Sequence, residues 1–306
     1  MDENIQRIQD EFSRHIVGQD EICHKMVVAL ITRGHILLTG VPGLGKTVMV
    51  KTFAQILNLN FRRIQFTPDL MPSDITGTEI LDQGQLRFIE GPVFSNVLLA
   101  DEINRTPPKT QSALLEAMEE RTVTVLGRTR TLESPFLVLA TQNPMEFEGT
   151  YPLPEAQLDR FLFSIDLNYL SEDLEARMAT MTTGLRTPVQ PVALDWLPKL
   201  QALVREMPIS EEIVRRIVRL VRATRPQSTT LDEVKRGLRW GAGPRAIQNL
   251  ILAARADALI RNQSCVNEEN VTRFIAAVLQ HRVIAEPSGE FPLSAILELV
   301  QKRFLS

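Results

Sequence analysis

A stretch with three glycines, a lysine and a threonine constrains this chain more than any other segment. It reads Gly-Val-Pro-Gly-Leu-Gly-Lys-Thr and runs from Gly40 to Thr47. The apolar segment 35–39 before it is predicted to be a buried strand, and residues 48–57 after it are predicted to be a helix. Strand, glycine-rich loop and helix in this order are typical of a loop that binds phosphate groups.

The residue types give this pattern its chemistry. Glycines at positions 40, 43 and 45 allow main-chain angles and a close approach that a side chain would block. Backbone N–H groups and the helix N-terminus can then converge on phosphate oxygens. We expect Lys46 to reach the β- and γ-phosphates of ATP and Thr47 to hold Mg²⁺. The alternative, a plain glycine-rich turn with a solvated lysine, is disfavoured by the flanking strand and helix. The predicted nucleotide-binding residues are Gly40, Pro42, Gly43, Leu44, Gly45, Lys46, Thr47 and Val48.

Composition bounds the class of protein. The chain has 306 residues, of which 44% are hydrophobic and 23% are charged, as in ordinary soluble proteins of one or two domains. A net charge of −3 argues against a broad basic surface for nucleic acid. Two cysteines provide neither a disulfide framework nor metal-ligand spacing. Without a signal-peptide pattern or a long apolar run, we expect a cytoplasmic protein with free thiols and no membrane span.

An acidic pair follows a second apolar run. Residues 97–100 are continuously apolar, as expected of a parallel strand covered on both faces, and Asp101 and Glu102 come directly after them. Downstream of a phosphate loop, Asp101 fits the carboxylate that holds Mg²⁺, and Glu102 fits the general base that polarises the attacking water. The alternative is a helix N-cap with a dipole-stabilised glutamate.

Three further polar residues are candidates on weaker grounds. Asn143 follows the apolar strand 136–140 and could bind the γ-phosphate or the attacking water, but Asn before Pro is also common in turns. Arg160 precedes the apolar strand 161–167; it suits the transition-state charge on a neighbouring subunit's nucleotide, or it pairs with Asp159 inside the chain. Arg245 begins a long helix after Gly-Ala-Gly-Pro, where it either faces the nucleotide or is a surface arginine.

The loop between the first two predicted helices, 3–14 and 20–33, lies just upstream of the phosphate loop. Backbone and apolar groups there, with Val17 and Gly18 among them, are candidates to hold an adenine ring. Simple packing of the two helices explains the same residues equally well. His15 and His24 lack the neighbours of a metal site and are predicted to be structural.

The order of elements predicts the fold class. Strand, phosphate loop, helix, and then four strands with helices between them indicate an α/β fold, a doubly wound parallel sheet with nucleotide beyond the carboxyl ends of its strands. Composition shifts near residues 187–191, which favours a nucleotide-binding domain over 1–187 and a small all-helical lid domain over 188–306. Within the first domain, residues 76–91 are predicted to form a hairpin-like insert and residues 121–133 a hairpin.

These motifs together resemble those of the AAA+ ATPases and, more closely, of their MoxR branch. The resemblance covers essentially the whole chain in order. It is carried by segments 40–47, 69–77, 90–94, 99–109, 140–144, 153–161 and 243–246.

The resemblance implies a role for each candidate residue. Lys46 and Thr47 would belong to Walker A, and Asp101 and Glu102 to Walker B. In the same scheme, Asn143 would be sensor 1, Arg160 the arginine finger and Arg245 sensor 2.

It also implies an assembly and an activity. Family members form rings, typically hexamers, that bind ATP and Mg²⁺ between subunits, and the two hairpins would face the central pore. They act as chaperone-like machines that mature or activate client protein complexes, often with a partner that carries a von Willebrand factor A domain.

Two other functions stay open. Related rings with similar inserts move on DNA, although the acidic pI and the lack of an appended DNA-binding motif argue against nucleic acid as a partner of this chain. A nucleotide-switched scaffold with little turnover is the second alternative, and the presence of Glu102, Asn143 and Arg160 argues against it.

Overall fold

The computed structural model describes residues 3–82, 85–144, 149–184, 187–287 and 289–305. Contacts divide the chain into two compact units. The α/β unit comprises Glu3–Phe161 and Ile165–Asp195, and the helical unit comprises Leu162–Ser164 and the residues from Trp196 onward. This division falls a few residues after the composition shift, and the domain limits 1–187 and 188–306 stay a prediction.

The α/β unit is built on the five-stranded sheet that the element order predicts. In whole-chain numbering its strands are β1 (Ile36–Thr39), β2 (Phe61–Gln65), β5 (Val97–Asp101), β8 (Leu137–Gln142) and β9 (Phe163–Asp166). Their spatial order is β2-β5-β8-β1-β9, and the pairs β2/β5, β5/β8 and β8/β1 are parallel. The carboxyl ends of β1, β5 and β8 therefore meet at one edge.

Seven helices belong to this unit within the described residues. They are α1 (Glu3–His15), α2 (Asp20–Thr32), α3 (Lys46–Ile56), α4 (Pro72–Thr76), α5 (Pro108–Glu120), α6 (Glu155–Leu158) and α7 (Glu172–Thr183). Leu114, Leu115 and Met118 of α5 share one buried cluster with Leu98 and Ala100 of β5. Because side chains alternate along a strand, Val97 and Leu99 point to the opposite face, where they are also buried. The sheet is covered on both faces.

Two antiparallel hairpins leave the sheet. One pairs β3 (Gly77–Asp82) with β4 (Gln85–Glu90), and the other pairs β6 (Thr122–Val125) with β7 (Arg128–Thr131). The predicted turn residues Gln83 and Gly84 lie outside the described residues. Leu81 and Leu86 of the first hairpin and Leu126 of the second are exposed apolar side chains.

The helical unit is organised around its longest helix, α11 (Pro244–Ile260), which contacts four others. The remaining elements are α8 (Leu197–Glu206), α9 (Glu211–Ala223), α10 (Asp232–Gly237), α12 (Glu268–Thr272), α13 (Ile275–Leu279), α14 (Leu293–Leu305), β10 (Leu238–Trp240) and β11 (Ile284–Ala285). The antiparallel β10/β11 pair is an addition to the helices that the sequence predicts, and its strands are too short for an alternating pattern to reveal. Residues 267–282 contain two short helices, α12 and α13, and not one continuous helix.

Candidate functional site

The glycine loop follows β1 and ends at the first residue of α3. Gly43 and Gly45 have φ angles of +91° and +74°, in the left-handed region that glycine adopts without strain. A side chain at Gly40 would place its Cβ 2.9 Å from the carbonyl oxygen of Leu167. The loop thus requires glycine at all three positions, for conformation at two of them and for space at the third.

Lys46 is the first residue of α3 and lies partly buried beneath the loop. Its Nζ donates a hydrogen bond to the carbonyl oxygen of Gly40. Burial lowers the pKa of Lys46, while the nearby charges of Asp101 and Glu102 oppose that shift. The ammonium group is therefore hydrogen-bonded to one carbonyl and attracted by two carboxylates. It lies where its positive charge can stabilise a phosphate group bound in the loop.

Asp101 is the last residue of β5, and both of its carboxylate oxygens have partners. Thr141 Oγ1 donates to Oδ1 at 2.6 Å, and Arg63 Nη2 donates to Oδ2 at 2.7 Å. Thr141 comes from β8 and Arg63 from β2, the two strands on either side of β5. The sheet order itself brings these three side chains together.

Glu102 has a left-handed backbone, with φ +56° and ψ +51°. Such a conformation in a non-glycine residue costs on the order of 1–3 kcal/mol and occurs most often at functional sites. The backbone N–H of Glu102 donates to Thr141 Oγ1 at 2.8 Å. Its carboxylate accepts from Gln65 Nε2 at 2.5 Å and lies 3.2 Å from Arg105 Nε. Gln65 and Arg105 thus fix the orientation of this carboxylate.

A cavity of about 380 Å³ unites these groups. Five residues predicted to act on the nucleotide line it: Lys46, Thr47, Asp101, Glu102 and Asn143. Sequence reasoning missed Arg63, Gln65 and Thr141, which line the same cavity. Arg63 and Gln65 alternate with the buried Ile64, so their shared face was visible in the sequence, but the pairing of β2 with β5 was not.

A second cavity, of about 410 Å³, shares a wall with the first, formed by Pro42, Gly43, Gly45 and Val48. Ile16, Val17, Leu44 and Met49 also line it, together with Leu170 and Met178 from the segment around α7. The loop between α1 and α2 therefore borders an open cavity, so packing of these two helices does not by itself account for its residues. Gly18, also a predicted binding residue, is not among the described residues that line this cavity; it has a φ of +68°, and a Cβ there would lie 2.8 Å from Leu174 Cδ1. The contribution of α7 was not predicted, although Leu174, Met178 and Met181 recur at helical spacing.

The two candidate arginines lie elsewhere. Arg160 follows α6, and its Nε lies 3.1 Å from Glu119 Oε2 on α5. Glu119 is therefore one ion-pair partner of Arg160 within the chain. Arg160 is not among the described residues that line either cavity. Arg245 is the second residue of α11 in the helical unit.

The residues present fit a magnesium nucleotide. Among the described residues, no group of three or more His, Cys, Asp or Glu side chains could hold a metal ion. A cation here would therefore need phosphate oxygens as well as Thr47 and Asp101, which is how Mg²⁺ commonly binds at nucleotide sites. The apolar cavity beside the loop has the size and lining that suit a flat heterocyclic base.

Comparison with known proteins agrees with this geometry. The profile of the ATPase family associated with various cellular activities (AAA) matches residues 35–163, and that of the AAA lid domain matches residues 232–298. No helix in the described part of the chain combines the length and apolar character that a membrane-spanning helix needs.

Individual relatives narrow the family. The chain is 46% identical to Chaperone MoxR1 of Mycobacterium tuberculosis, over 97% of this chain and 81% of that protein. It is 33% identical to Protein MoxR of Paracoccus denitrificans, over 90% of this chain and 87% of that protein. A crystal structure of a Cytophaga hutchinsonii protein assigned as an ATPase superposes with a TM-score of 0.91 at 41% identity, covering 98% of this chain and 93% of that one. The chain therefore belongs to the MoxR family of AAA+ ATPases.

Proposed function

We propose that this protein hydrolyses Mg-ATP and uses the energy to remodel, mature or activate protein complexes as a chaperone-like ring. The observation that carries the proposal is the convergence of Lys46, Thr47, Asp101, Glu102 and Asn143 on one cavity beside an apolar cavity. The name of the mycobacterial relative, a chaperone, supports the remodelling role.

Each group has a chemical task in the proposed reaction. Thr47 and Asp101 would hold Mg²⁺, which neutralises phosphate charge when bound. Lys46 binds the terminal phosphates, and Glu102 accepts the proton of the attacking water. Asn143, buried at the end of β8, orients the water or the γ-phosphate. Because the two cavities share a wall, one nucleotide would place its base in the apolar cavity and its phosphates in the cavity with the acidic pair at the same time.

The proposed active assembly is a homo-oligomeric ring, a hexamer as in the family, because Arg160 is not among the described residues that line the cavity with the acid pair. A guanidinium from a neighbouring copy would then complete the site at the γ-phosphate. Arg245 is proposed to act as sensor 2. We further propose a partner protein with a von Willebrand factor A domain and a client complex on which the ring acts in the cytoplasm.

Glu102→Gln provides the first test. The amide keeps the size of the side chain but accepts no proton, so we expect ATP binding to persist while hydrolysis falls by about 100-fold or more. Glu116→Gln, an exposed position on α5, is the matched control and should keep its turnover. Normal hydrolysis by the Glu102 variant would refute the assignment of the base.

The same variant tests the cellular role. Held with ATP, it should stay bound to its partner when recovered from its native host. Recovery of a protein with a von Willebrand factor A domain, or of an enzyme subunit, would support the remodelling function. Recovery of DNA or replication proteins that dissociate at raised salt would point instead to a nucleic-acid motor.

A further inference from the structure

The helical unit contains a cavity at the arginine-rich face of α9, and none of the residues assigned to the nucleotide site lines it. It measures about 540 Å³, within the range of small-molecule sites. Its walls are α9, the loop at residues 228–231 and the last turn of α14. Five arginines line it: Arg215, Arg216, Arg219, Arg222 and Arg303.

The arrangement of α9 concentrates these charges. Arg215, Arg219 and Arg222 follow one another at intervals of four and three residues, so they lie on one face of the helix. Ile217 and Val221 on the other side are fully buried. Like charges at such spacing destabilise a helix, so the chain gains nothing in stability from this stripe alone.

The chain neutralises only part of the cluster. Arg215 Nη2 lies 2.6 Å from Glu211 Oε1, and Arg216 pairs with Glu212 and Glu268. Arg219 and Arg222 are exposed, and their side chains make no ion pair or hydrogen bond with any residue that the structure describes.

The cavity lining as a whole is strongly positive, although the chain has a net charge of −3. Glu212 is the single carboxylate among the described residues that line it, against five arginines. Because Glu212 already pairs with Arg216, it leaves the charges of Arg219 and Arg222 unbalanced.

The loop at residues 228–231 adds neutral hydrogen-bonding groups. Ser228, Thr229 and Thr230 line the cavity together with the arginines. Guanidinium groups bind phosphate and carboxylate through paired N–H donors, and hydroxyl groups supply further donors. We propose that this cavity is a binding site for a compact ligand that carries two or more phosphate or carboxylate groups. The proposal does not depend on the ATPase reaction.

The lining argues against a nucleic-acid strand as the ligand. A strand is bound along an open basic groove with aromatic rings on which bases stack. Here the aromatic ring in the described lining of the cavity, Phe304, is only 4% exposed, so it offers no stacking face. The two remaining sources of the ligand are a free phosphorylated small molecule and the acidic side chains of a protein segment.

The experiment measures binding of inorganic tripolyphosphate and, separately, of a hexaglutamate peptide to the full chain by calorimetry. Lys46→Ala serves as the common background, because it removes the anchoring charge of the glycine loop and leaves the arginine cavity as the anion site under test. Arg219→Ala/Arg222→Ala is then compared with Arg239→Ala, an exposed arginine of β10 that does not line the cavity. We expect the double variant to lose tenfold or more in affinity and the control to lose less than twofold.

The outcomes separate the sources and can overturn the site. If tripolyphosphate but not the peptide binds in an arginine-dependent way, the ligand is a free phosphorylated molecule. If the peptide binds in an arginine-dependent way, the ligand is an acidic protein segment. Arg219→Lys/Arg222→Lys should lie in between, since it keeps the charge but loses the paired donors. Equal affinity in the double variant and the control would refute the proposal. Much tighter arginine-dependent binding of a single-stranded oligonucleotide would do so as well, because it would identify an open strand site.

Discussion

Arg63 Nη2 and Asp101 Oδ2 lie 2.7 Å apart, in an ion pair that joins two adjacent parallel strands. The Arg63 side chain is 46% exposed, whereas that of Asp101 is 15% exposed. The arginine can therefore move into solvent more easily than the aspartate. It supplies positive charge to the carboxylate that we assign to Mg²⁺.

This pair makes Arg63 a competitor of the metal. We expect Arg63→Met to lower the Mg²⁺ concentration needed for half-maximal ATP binding by roughly threefold, the scale of a partly exposed ion pair. Fluorescence titration of a labelled nucleotide at varied Mg²⁺ measures the effect without turnover. Arg62→Met, on the neighbouring exposed position of the same strand, should leave the requirement unchanged. An unchanged or raised Mg²⁺ requirement in Arg63→Met would show that the arginine does not compete.

Thr141 holds both acids of the pair, and we expect it to position them. Thr141→Val keeps the shape but leaves Asp101 Oδ1 and the Glu102 N–H without this partner. Loss of one or two such hydrogen bonds, at about 1–1.5 kcal/mol each, predicts a kcat lower by roughly 10- to 100-fold.

The affinity for ATP should change little, because Thr141 does not belong to the glycine loop. Steady-state kinetics and equilibrium binding separate the two effects, and Thr141→Ser should restore kcat. A valine variant with the kcat of the original protein would mean that the hydroxyl has no positioning role.

Arg160 is proposed to act on a neighbour's nucleotide, which a mixing experiment can test. Arg160→Ala should bind ATP but hydrolyse it about 10³-fold more slowly. Lys46→Ala should also be inactive, because its own site lacks the phosphate-binding lysine. In a mixed ring, the Lys46 variant can lend its Arg160 to an intact site on the Arg160 variant, so activity should partly return on mixing. If no mixture of the two regains activity, the arginine acts within its own subunit or only supports the fold.

His35 predicts a dependence of stability on pH. Its Nδ1 accepts from the Val138 N–H at 3.0 Å, so Nε2 carries the proton and donates to the Met118 carbonyl oxygen at 3.1 Å. Burial, reinforced by the charge of Arg121, lowers the pKa of His35 to about 3.

Between about pH 6.5 and pH 3 the unfolded chain would bind a proton at this histidine that the native state does not. The free energy of unfolding should therefore fall as pH falls in that window, by up to about 1.4 kcal/mol per pH unit, and His35 should contribute no slope above it. Urea unfolding at pH 7.5, 6.5 and 5.5 measures the slope. His35→Gln should be less stable at pH 7.5 but lose less on acidification, and a slope equal to that of the original protein would contradict the assignment.

The sheet strands and the groups at their carboxyl ends were predictable, because a phosphate loop and an apolar run that ends in Asp101 and Glu102 are local signals. Arg63, Gln65 and Thr141 were not, because their importance depends on β2, β5 and β8 being neighbours. The helices α4 and α7 were missed for a local reason. The first is a single short turn, and the second is mostly exposed, with an apolar stripe of only three residues, Leu174, Met178 and Met181.

The site is built at the ends of strands that are distant along the chain but adjacent in the sheet. A nucleotide that contacts Lys46 and Asp101 together can therefore bind tightly only when β1, β5 and β8 are in register. Such a ligand adds about 2.7 kcal/mol to the free energy of unfolding at one hundred times its dissociation constant. We therefore expect cellular ATP to lengthen the lifetime of the folded chain, and a loop variant that cannot bind nucleotide should be degraded faster.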